Sequence, residues 1–368
     1  MFKGRDELLL RLESSLLSGL GNKNIVIFGQ KRAGKSSLLA HLKRRLSEKS
    51  DCIPISMSLQ DIATELSEAA FFHRILYELA SALEELRFKG CSVPDLESPK
   101  LEDIRTYPSL RFHESMSNLQ RQIRRMDGGN KFKFILLIDE FTDIYKQIKK
   151  GKIAAEFMKT WKSIVEKRYF SSILVGQDIM PAFKTTYPNE FGVTEDVRIT
   201  YLAELDAVRL IEEPIGSNRY AGKAIPRILE LTAGSPYYTM MLCNRLVDYM
   251  NKTRSAIVTE ADITAVEQKM LSGDRRLTKD KFDNLVCAGD GLIDSGIDPE
   301  RTYRLCIEIA KSASVNRGWC TIDTLKNFEN DELDVLLSDL VNRDVLERNG
   351  DVYRIRVGLF HDWLLIHG

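Results

Sequence analysis

The stretch "IVIFGQKRAGKSSLLAHL", residues 25–42, decides how the rest of the chain is read. Ile25-Val26-Ile27-Phe28 is an unbroken apolar run, the pattern of a strand buried on both faces. The following residues, Gly29-Gln30-Lys31-Arg32-Ala33-Gly34-Lys35-Ser36, match the phosphate-binding pattern G-x-x-x-x-G-K-[ST] at every position. Leu38, Leu39, His41 and Leu42 then begin a helical period. Strand, glycine-bounded turn and helix together form the context this motif requires. Gly29 and Gly34 let the chain curl so that successive N–H groups face inward, and the helix start adds the positive end of its dipole. Lys35 is expected to reach the β- and γ-phosphates and the Ser36 hydroxyl to ligate Mg²⁺. The expected ligands are therefore ATP or ADP with Mg²⁺, cradled by Gly29, Gln30, Lys31, Arg32, Ala33, Gly34, Lys35, Ser36 and Ser37.

Composition narrows the setting. A chain of 368 residues is long enough for two or three domains with well-buried cores. Apolar content of 43% and charged content of 29% are those of an ordinary globular protein. The formal net charge is zero, so no global field drives the chain onto nucleic acid or an acidic membrane. No apolar run approaches the roughly 20 residues of a membrane span, and Met1-Phe2-Lys3-Gly4-Arg5-Asp6 lacks the apolar core of a signal peptide. Cys52, Cys91, Cys243, Cys287, Cys306 and Cys320 show no C-x-x-C spacing and no histidine companions. They read as reduced thiols and not as a metal site, which makes the expected compartment the cytoplasm.

Further strands are expected at 52–59, 132–140, 172–177 and 197–202, alternating with helices at 66–88, 109–126 and 153–168. Residues 90–108, with Pro94, Pro99 and Pro108, read as a surface excursion, and Asp127-Gly128-Gly129 as a helix stop. Alternating strands and helices predict an α/β fold, a P-loop NTPase core with a parallel sheet flanked by helices, over residues 1–204. An all-helical region is expected over 205–275, a Gly/Asp/Pro-rich linker over 276–300 and a last domain over 301–368. That last domain reads as helices at 303–314, 322–328 and 330–345, then a hairpin around Asn349-Gly350-Asp351. Three helices followed by a hairpin wing is the winged-helix layout.

The second half of a nucleotide site is expected at the end of the strand Ile135-Leu136-Leu137-Ile138, in Asp139-Glu140. Asp139 would bind Mg²⁺ and Glu140 would act as general base toward the attacking water. Gln177, ending the next strand, is placed to sense the γ-phosphate.

Three further segments carry a family resemblance. Phe2-Lys3-Gly4-Arg5-Asp6-Glu7-Leu8 resembles the box that opens many AAA+-related ATPases, and Leu231-Thr232-Ala233-Gly234-Ser235-Pro236-Tyr237-Tyr238 resembles their G-x-P motif. With the terminal winged helix, the pattern is most similar to the STAND class of signal-transducing ATPases and their prokaryotic relatives, over nearly the whole chain. The resemblance implies that Arg5 packs against the adenine ring and that Pro236 lies against the base. His361-Asp362, late in the last domain, is similar in placement to the pair that contacts the ADP β-phosphate in some STAND branches; a packing histidine is the alternative. Ring-forming AAA+ machines carry an arginine finger after the sensor strand, but no arginine lies between Asp178 and Val197. The resemblance therefore implies a slow switch that changes conformation or oligomeric state on ADP/ATP exchange, in prokaryotic signalling or antiphage defence. The ends of the chain fit the family's core, which leaves open an excised core or a subunit whose effector is a separate protein.

Origin-recognition and transposition-helper ATPases share this layout and bind DNA, so a DNA-binding role for the winged helix is the rival reading. The candidate recognition helix, from about residue 329 to 346, holds Glu329, Asp331, Glu332, Asp334, Asp339 and Asp344 against the single cation Arg343. Such a surface repels a duplex. Arg348, Arg354 and Arg356 on the wing, and the run of lysines from Lys146 to Lys167, keep nucleic acid in play without favouring it. The expected partners are nucleotide and a protein partner or a second copy of the chain, with no membrane.

Overall fold

The computed structural model describes residues 3–18, 21–126, 132–287, 297–313, 318–325, 328 and 330–368. Phe2 of the opening box, the Asp127-Gly128-Gly129 stop, Glu329 and part of the expected linker lie outside the described residues. The chain divides into two compact units. Glu7–Phe28 with Lys35–Arg198 form one; Gly29–Gly34, Ile199–Gly368 and the N-terminal segment ending at Asp6 form the other.

The first unit is built on a five-stranded sheet. Its strands are β1 (Asn24–Gly29), β2 (Cys52–Ser58), β3 (Lys133–Asp139), β4 (Ser171–Gly176) and β5 (Glu195–Ile199), in the order β2-β3-β4-β1-β5. The pairs β2/β3, β3/β4 and β1/β4 are parallel. Register places Ser58 beside Asp139, Ile138 beside Leu174 and Phe28 beside Gly176, so the C-terminal ends of these strands lie side by side. The apolar runs that predicted buried strands are buried: Ile135, Leu136, Leu137 and Ile138 are all fully enclosed. This is the P-loop NTPase arrangement, a parallel sheet with helices packed on it.

Several helices follow the expected periods and one follows capping chemistry as well. Glu68–Phe88 begins after Ser67, whose hydroxyl accepts from the Ala70 amide at 3.2 Å. The excursion at 90–108 contains a short helix, Leu101–Arg105, and Pro108 opens the helix Pro108–Arg125 instead of closing the excursion. A proline is at home in a first helical turn, where its missing N–H costs nothing. The helices Thr142–Lys149 and Met180–Thr186 were not expected. An aromatic cluster fastens the unit: Phe71 meets Phe72, Phe157 and Trp161 edge-on with centroids 5.4, 5.2 and 5.7 Å apart.

The second unit is helical up to residue 286 and mixed beyond. One hydrophobic core runs from Tyr201 to Leu364. At its centre Phe282 stacks on Tyr238 and packs against Phe360 and Trp363, with centroids 5.7, 5.2 and 5.4 Å away. The C-terminal part holds the helices Pro299–Ser312 and Asn330–Asn342 and an antiparallel sheet of β6 (Cys320–Thr321), β7 (Leu346–Asn349) and β8 (Val352–Ile355), in the order β6-β8-β7. The expected hairpin turns at Gly350, where φ is 60°. The closing helix Gly358–His367 was not expected; Leu359, Phe360, Trp363 and Leu364 are buried, and its last turn, with Leu365 and Ile366, is exposed. Among the described residues no helix is long and apolar enough to cross a membrane.

Truncating Phe71 to alanine removes the ring at the centre of the aromatic cluster. The expected cost is about 3–5 kcal/mol in urea unfolding of the first unit, while a Leu110→Ala change, at a half-exposed site (53%), is expected to be near neutral.

Candidate nucleotide site

Gly29 ends β1 at φ 149°, and a Cβ there would stand 2.1 Å from the Ile199 carbonyl oxygen. Only a residue without a side chain can pass that carbonyl. Gly34 closes the turn at φ 91°, where a Cβ would lie 3.1 Å from Arg5 Nη1 and 3.8 Å from Pro236 Cγ. Between them the Ala33 amide donates to Gln30 O at 3.2 Å, and Arg32 takes the left-handed conformation at φ 69°.

Two arginines support this turn. Arg5 donates through Nη2 to the carbonyls of Ala33 and Thr200, both at 2.7 Å, and its own amide donates to Asp206 Oδ2 at 3.2 Å. Burial lowers its pKa to about 10, against the opposing charge of Asp206, and it remains a cation at neutral pH. The side chain assigned to the base by resemblance is thus engaged with the backbone of the turn. Arg32 donates through Nη1 to Lys281 O at 2.6 Å and Asn284 Oδ1 at 3.2 Å, and stacks over the Tyr237 ring at 4.3 Å. Buried Gln30 donates to the Asn284 carbonyl at 3.4 Å, whereas the Lys31 side chain is exposed.

The G-x-P segment has a local cause. Ala233 is left-handed at φ 52° and ends the helix Ala224–Thr232; Pro236 then occupies the first turn of the helix Pro236–Thr253. Gly234 is required because a Cβ there would stand 2.8 Å from Leu202 O.

In the first unit, Lys35 opens the helix Lys35–Ser47 and is 7% exposed, followed by exposed Ser36 and Ser37. Asp139 ends β3, and its Oδ1 accepts from the Glu140 amide at 2.9 Å. Glu140 is held at φ 55°, a conformation an ordinary side chain adopts at a cost of about 1 kcal/mol or more. Gln177, 2% exposed and directly after β4, donates from Nε2 to Glu140 Oε2 at 2.8 Å. Its Oε1 is buried without a hydrogen-bond partner among the described residues. The structure therefore brings Glu140 and Gln177 together as a pair, with the charge of Lys35 acting on the same carboxyl. His361 is 2% exposed, with Nδ1 at 2.8 Å from Asp362 Oδ1 and Nε2 buried and unpartnered among the described residues. Asn284 and Asp206 escaped sequence reading, Asn284 because it fell in an expected linker and Asp206 because it belongs to no motif; Tyr237 lay in the G-x-P segment without a role of its own.

Residues 20–181 match the model of the AAA domain family. No curated protein matches the chain. A solved Walker-type ATPase of Pyrococcus abyssi is similar over 99% of this chain and 96% of its own, at 16% identity and a TM-score of 0.60. Cdc6p of Pyrobaculum aerophilum (12% identity, covering 98% and 92% of the two chains, TM-score 0.47) and the Aeropyrum pernix ORC1 protein solved in complex with DNA (13%, 99% and 92%, 0.47) are similar more loosely. The first likeness speaks to the fold alone, and the other two fall below the level at which shape carries an argument. The domain match and the fold together support an AAA-type P-loop ATPase.

The Glu140 carboxyl is pushed up by burial, with Asp139 and Asp143 adding to the shift, against the Gln177 hydrogen bond and Lys35. A carboxyl whose pKa rises on folding is destabilising in its charged form, fully so above the raised pKa and no longer below the unfolded value of about 4.3. Glu140→Gln is accordingly expected to raise the thermal midpoint at pH 8, with the gain shrinking as pH falls and absent near pH ~4. A melting series across pH reads this directly; a gain independent of pH contradicts it.

Proposed function

We propose that this chain is an ATP-binding switch of the STAND type, a slow Mg²⁺-dependent ATPase acting in prokaryotic signalling or antiphage defence. The observation that carries the reading is the Glu140–Gln177 pair: a general-base candidate at the end of the acid strand, already hydrogen-bonded by the residue after the neighbouring strand.

Main-chain amides of the Gly29–Gly34 turn and Lys35 would hold the phosphates. Ser36 and Asp139 fit Mg²⁺, which takes one or two protein oxygens and completes its shell with water and phosphate; Asp139 keeps its second carboxylate oxygen clear of the Glu140 amide bond. When bound, the ion neutralises charge on the β- and γ-oxygens. Glu140 would take the proton of the water attacking the γ-phosphorus as the bond to the bridging oxygen of ADP breaks. The Gln177 bond opposes that proton transfer until Gln177 turns to another acceptor, which favours slow turnover. Lys184, the one cation between Asp178 and Val197, is paired with Asp196, which supports a mechanism without a finger offered to a neighbour's γ-phosphate. The buried Nε2 of His361, without a hydrogen-bond partner among the described residues, supports its assignment as an ADP contact over a purely packing role.

The C-terminal helices and hairpin are read as a winged helix that meets protein. On the helix Asn330–Asn342 and the turn after it, Arg343 is 3% exposed and turned inward to Asp339. On the hairpin, Arg354 pairs with Glu347 and Arg356 with Asp344. Cations already neutralised in this way have little left for phosphates of a duplex.

Lys35→Ala is expected to weaken ADP binding by roughly tenfold or more, the size of a lost charge-assisted hydrogen bond. Mass measured in solution with ADP and then with a non-hydrolysable ATP analogue is expected to differ. A monomer of identical hydrodynamic size in both contradicts the switch, and salt-sensitive stimulation of hydrolysis by duplex DNA would favour the origin-recognition-like alternative.

A further inference from the structure

Segment 279–286, a 3-10 turn (Lys279–Lys281) and a short helix (Asp283–Val286), was expected to be part of a linker. It instead carries several hydrogen bonds to the phosphate-binding turn. Asn284 Oδ1 accepts from Arg32 Nη1 at 3.2 Å and from Tyr238 Oη at 3.1 Å, and its carbonyl accepts from Gln30 Nε2 at 3.4 Å. The Lys281 carbonyl accepts from the same two donors, Arg32 at 2.6 Å and Tyr238 at 3.1 Å. Asn284 is 7% exposed, so these bonds have little competition from water.

The other end of the segment is held with equal care. The carbonyls of Leu285 and Val286 accept from Arg343 Nη1 and Nη2 at 3.1 and 3.3 Å. That guanidinium is 3% exposed and also pairs with Asp339 at 2.7 Å, in the helix Asn330–Asn342. A continuous hydrogen-bonded path therefore runs from Arg32 through Asn284 and the Leu285–Val286 carbonyls to Arg343 and that helix.

We propose that segment 279–286 couples the phosphate-binding turn to the C-terminal module, with Asn284 the positioning residue that transmits the state of the turn to the helix Asn330–Asn342; the inference rests on the nucleotide reading of that turn. Arg32 sits in a left-handed conformation that L side chains rarely adopt, and its side chain is held there by Lys281, Asn284 and Tyr237. Anything that reshapes the turn must move or release those contacts. By reciprocity, any displacement of the segment alters phosphate affinity by the same factor. Simple packing glue does not require a polar side chain that receives two donors from two different elements while its carbonyl receives a third.

Amide hydrogen exchange of the full chain, with and without saturating Mg·ADP, tests this. In the wild type, nucleotide is expected to slow exchange roughly fivefold or more, the lower end of typical coupling, both in the 29–37 peptide and in the helix Asn330–Asn342. In Asn284→Ala the turn still responds and the helix does not. Asn284→Asp keeps an acceptor for both donors and retains both responses. Tyr238→Phe, which loses one donor while keeping its ring on Phe282, gives an intermediate helix response and serves if Asn284→Ala fails to fold. A nucleotide-dependent helix response in Asn284→Ala equal to the wild type, even above a faster baseline, overturns the coupling, as does a wild-type helix that never responds while the turn does. A wild-type turn that ignores nucleotide overturns the nucleotide reading itself, and the coupling with it.

Discussion

The first strand hands over to the phosphate-binding turn past the Ile199 carbonyl, which leaves its last residue no room for a side chain. Here that residue is Gly29, whose missing Cβ would otherwise overlap the Ile199 carbonyl at 2.1 Å. The rest of the site depends on that close approach. It directs the chain into a turn in which left-handed Arg32 and the Ala33 carbonyl are then held by side chains remote in sequence, Asn284 and Arg5. Loops with many inward N–H groups have few internal bonds to spare, so their shape is borrowed from neighbours. The carbonyl of Ala33 receiving Arg5, and the guanidinium of Arg32 received by Lys281 and Asn284, are that borrowed support.

Charge is handled locally although the chain is neutral overall. Arg5 stays cationic despite burial that lowers its pKa to about 10. Glu140 goes the other way, its carboxyl raised chiefly by desolvation and restrained by one amide from Gln177. A buried, perturbed group with a specific partner at the end of a strand, as Glu140 is with Gln177, is a functional-site candidate.

Legibility in the sequence followed physical simplicity. All five strands were found to within a few residues; β3 and β4, buried on both faces, announce themselves as apolar runs, Ile135–Ile138 and Ile173–Val175, while β2 and β5 are buried at alternate positions. The places of Lys35, Ser36, Asp139 and Glu140 in the fold were legible as well: Lys35 and Ser36 open the helix after the turn, Asp139 ends β3 and Glu140 follows it. Short helices were not. Thr142–Lys149 has only two turns, too few for a clear period, and its lysines read as a charge run. Gly358–His367 is apolar on nearly every side and so shows no amphipathic stripe, although only its first turns are enclosed by core. Asn284 was invisible because its value lies in what reaches it: Arg32, Gln30 and Tyr238 approach from positions some 46 to 254 residues away.

The central claim is that the Gly29–Ser37 turn with Asp139 holds a magnesium triphosphate. A crystal structure with a non-hydrolysable ATP analogue and Mn²⁺ in place of Mg²⁺ tests it most directly, since the manganese anomalous signal fixes the metal independently of the model. The account expects the β- and γ-phosphates against the amides of residues 30–36, Lys35 on their oxygens, and a manganese peak beside Ser36 Oγ and the Asp139 carboxylate. A fully formed crystal with analogue bound elsewhere, or with manganese remote from both residues, contradicts it.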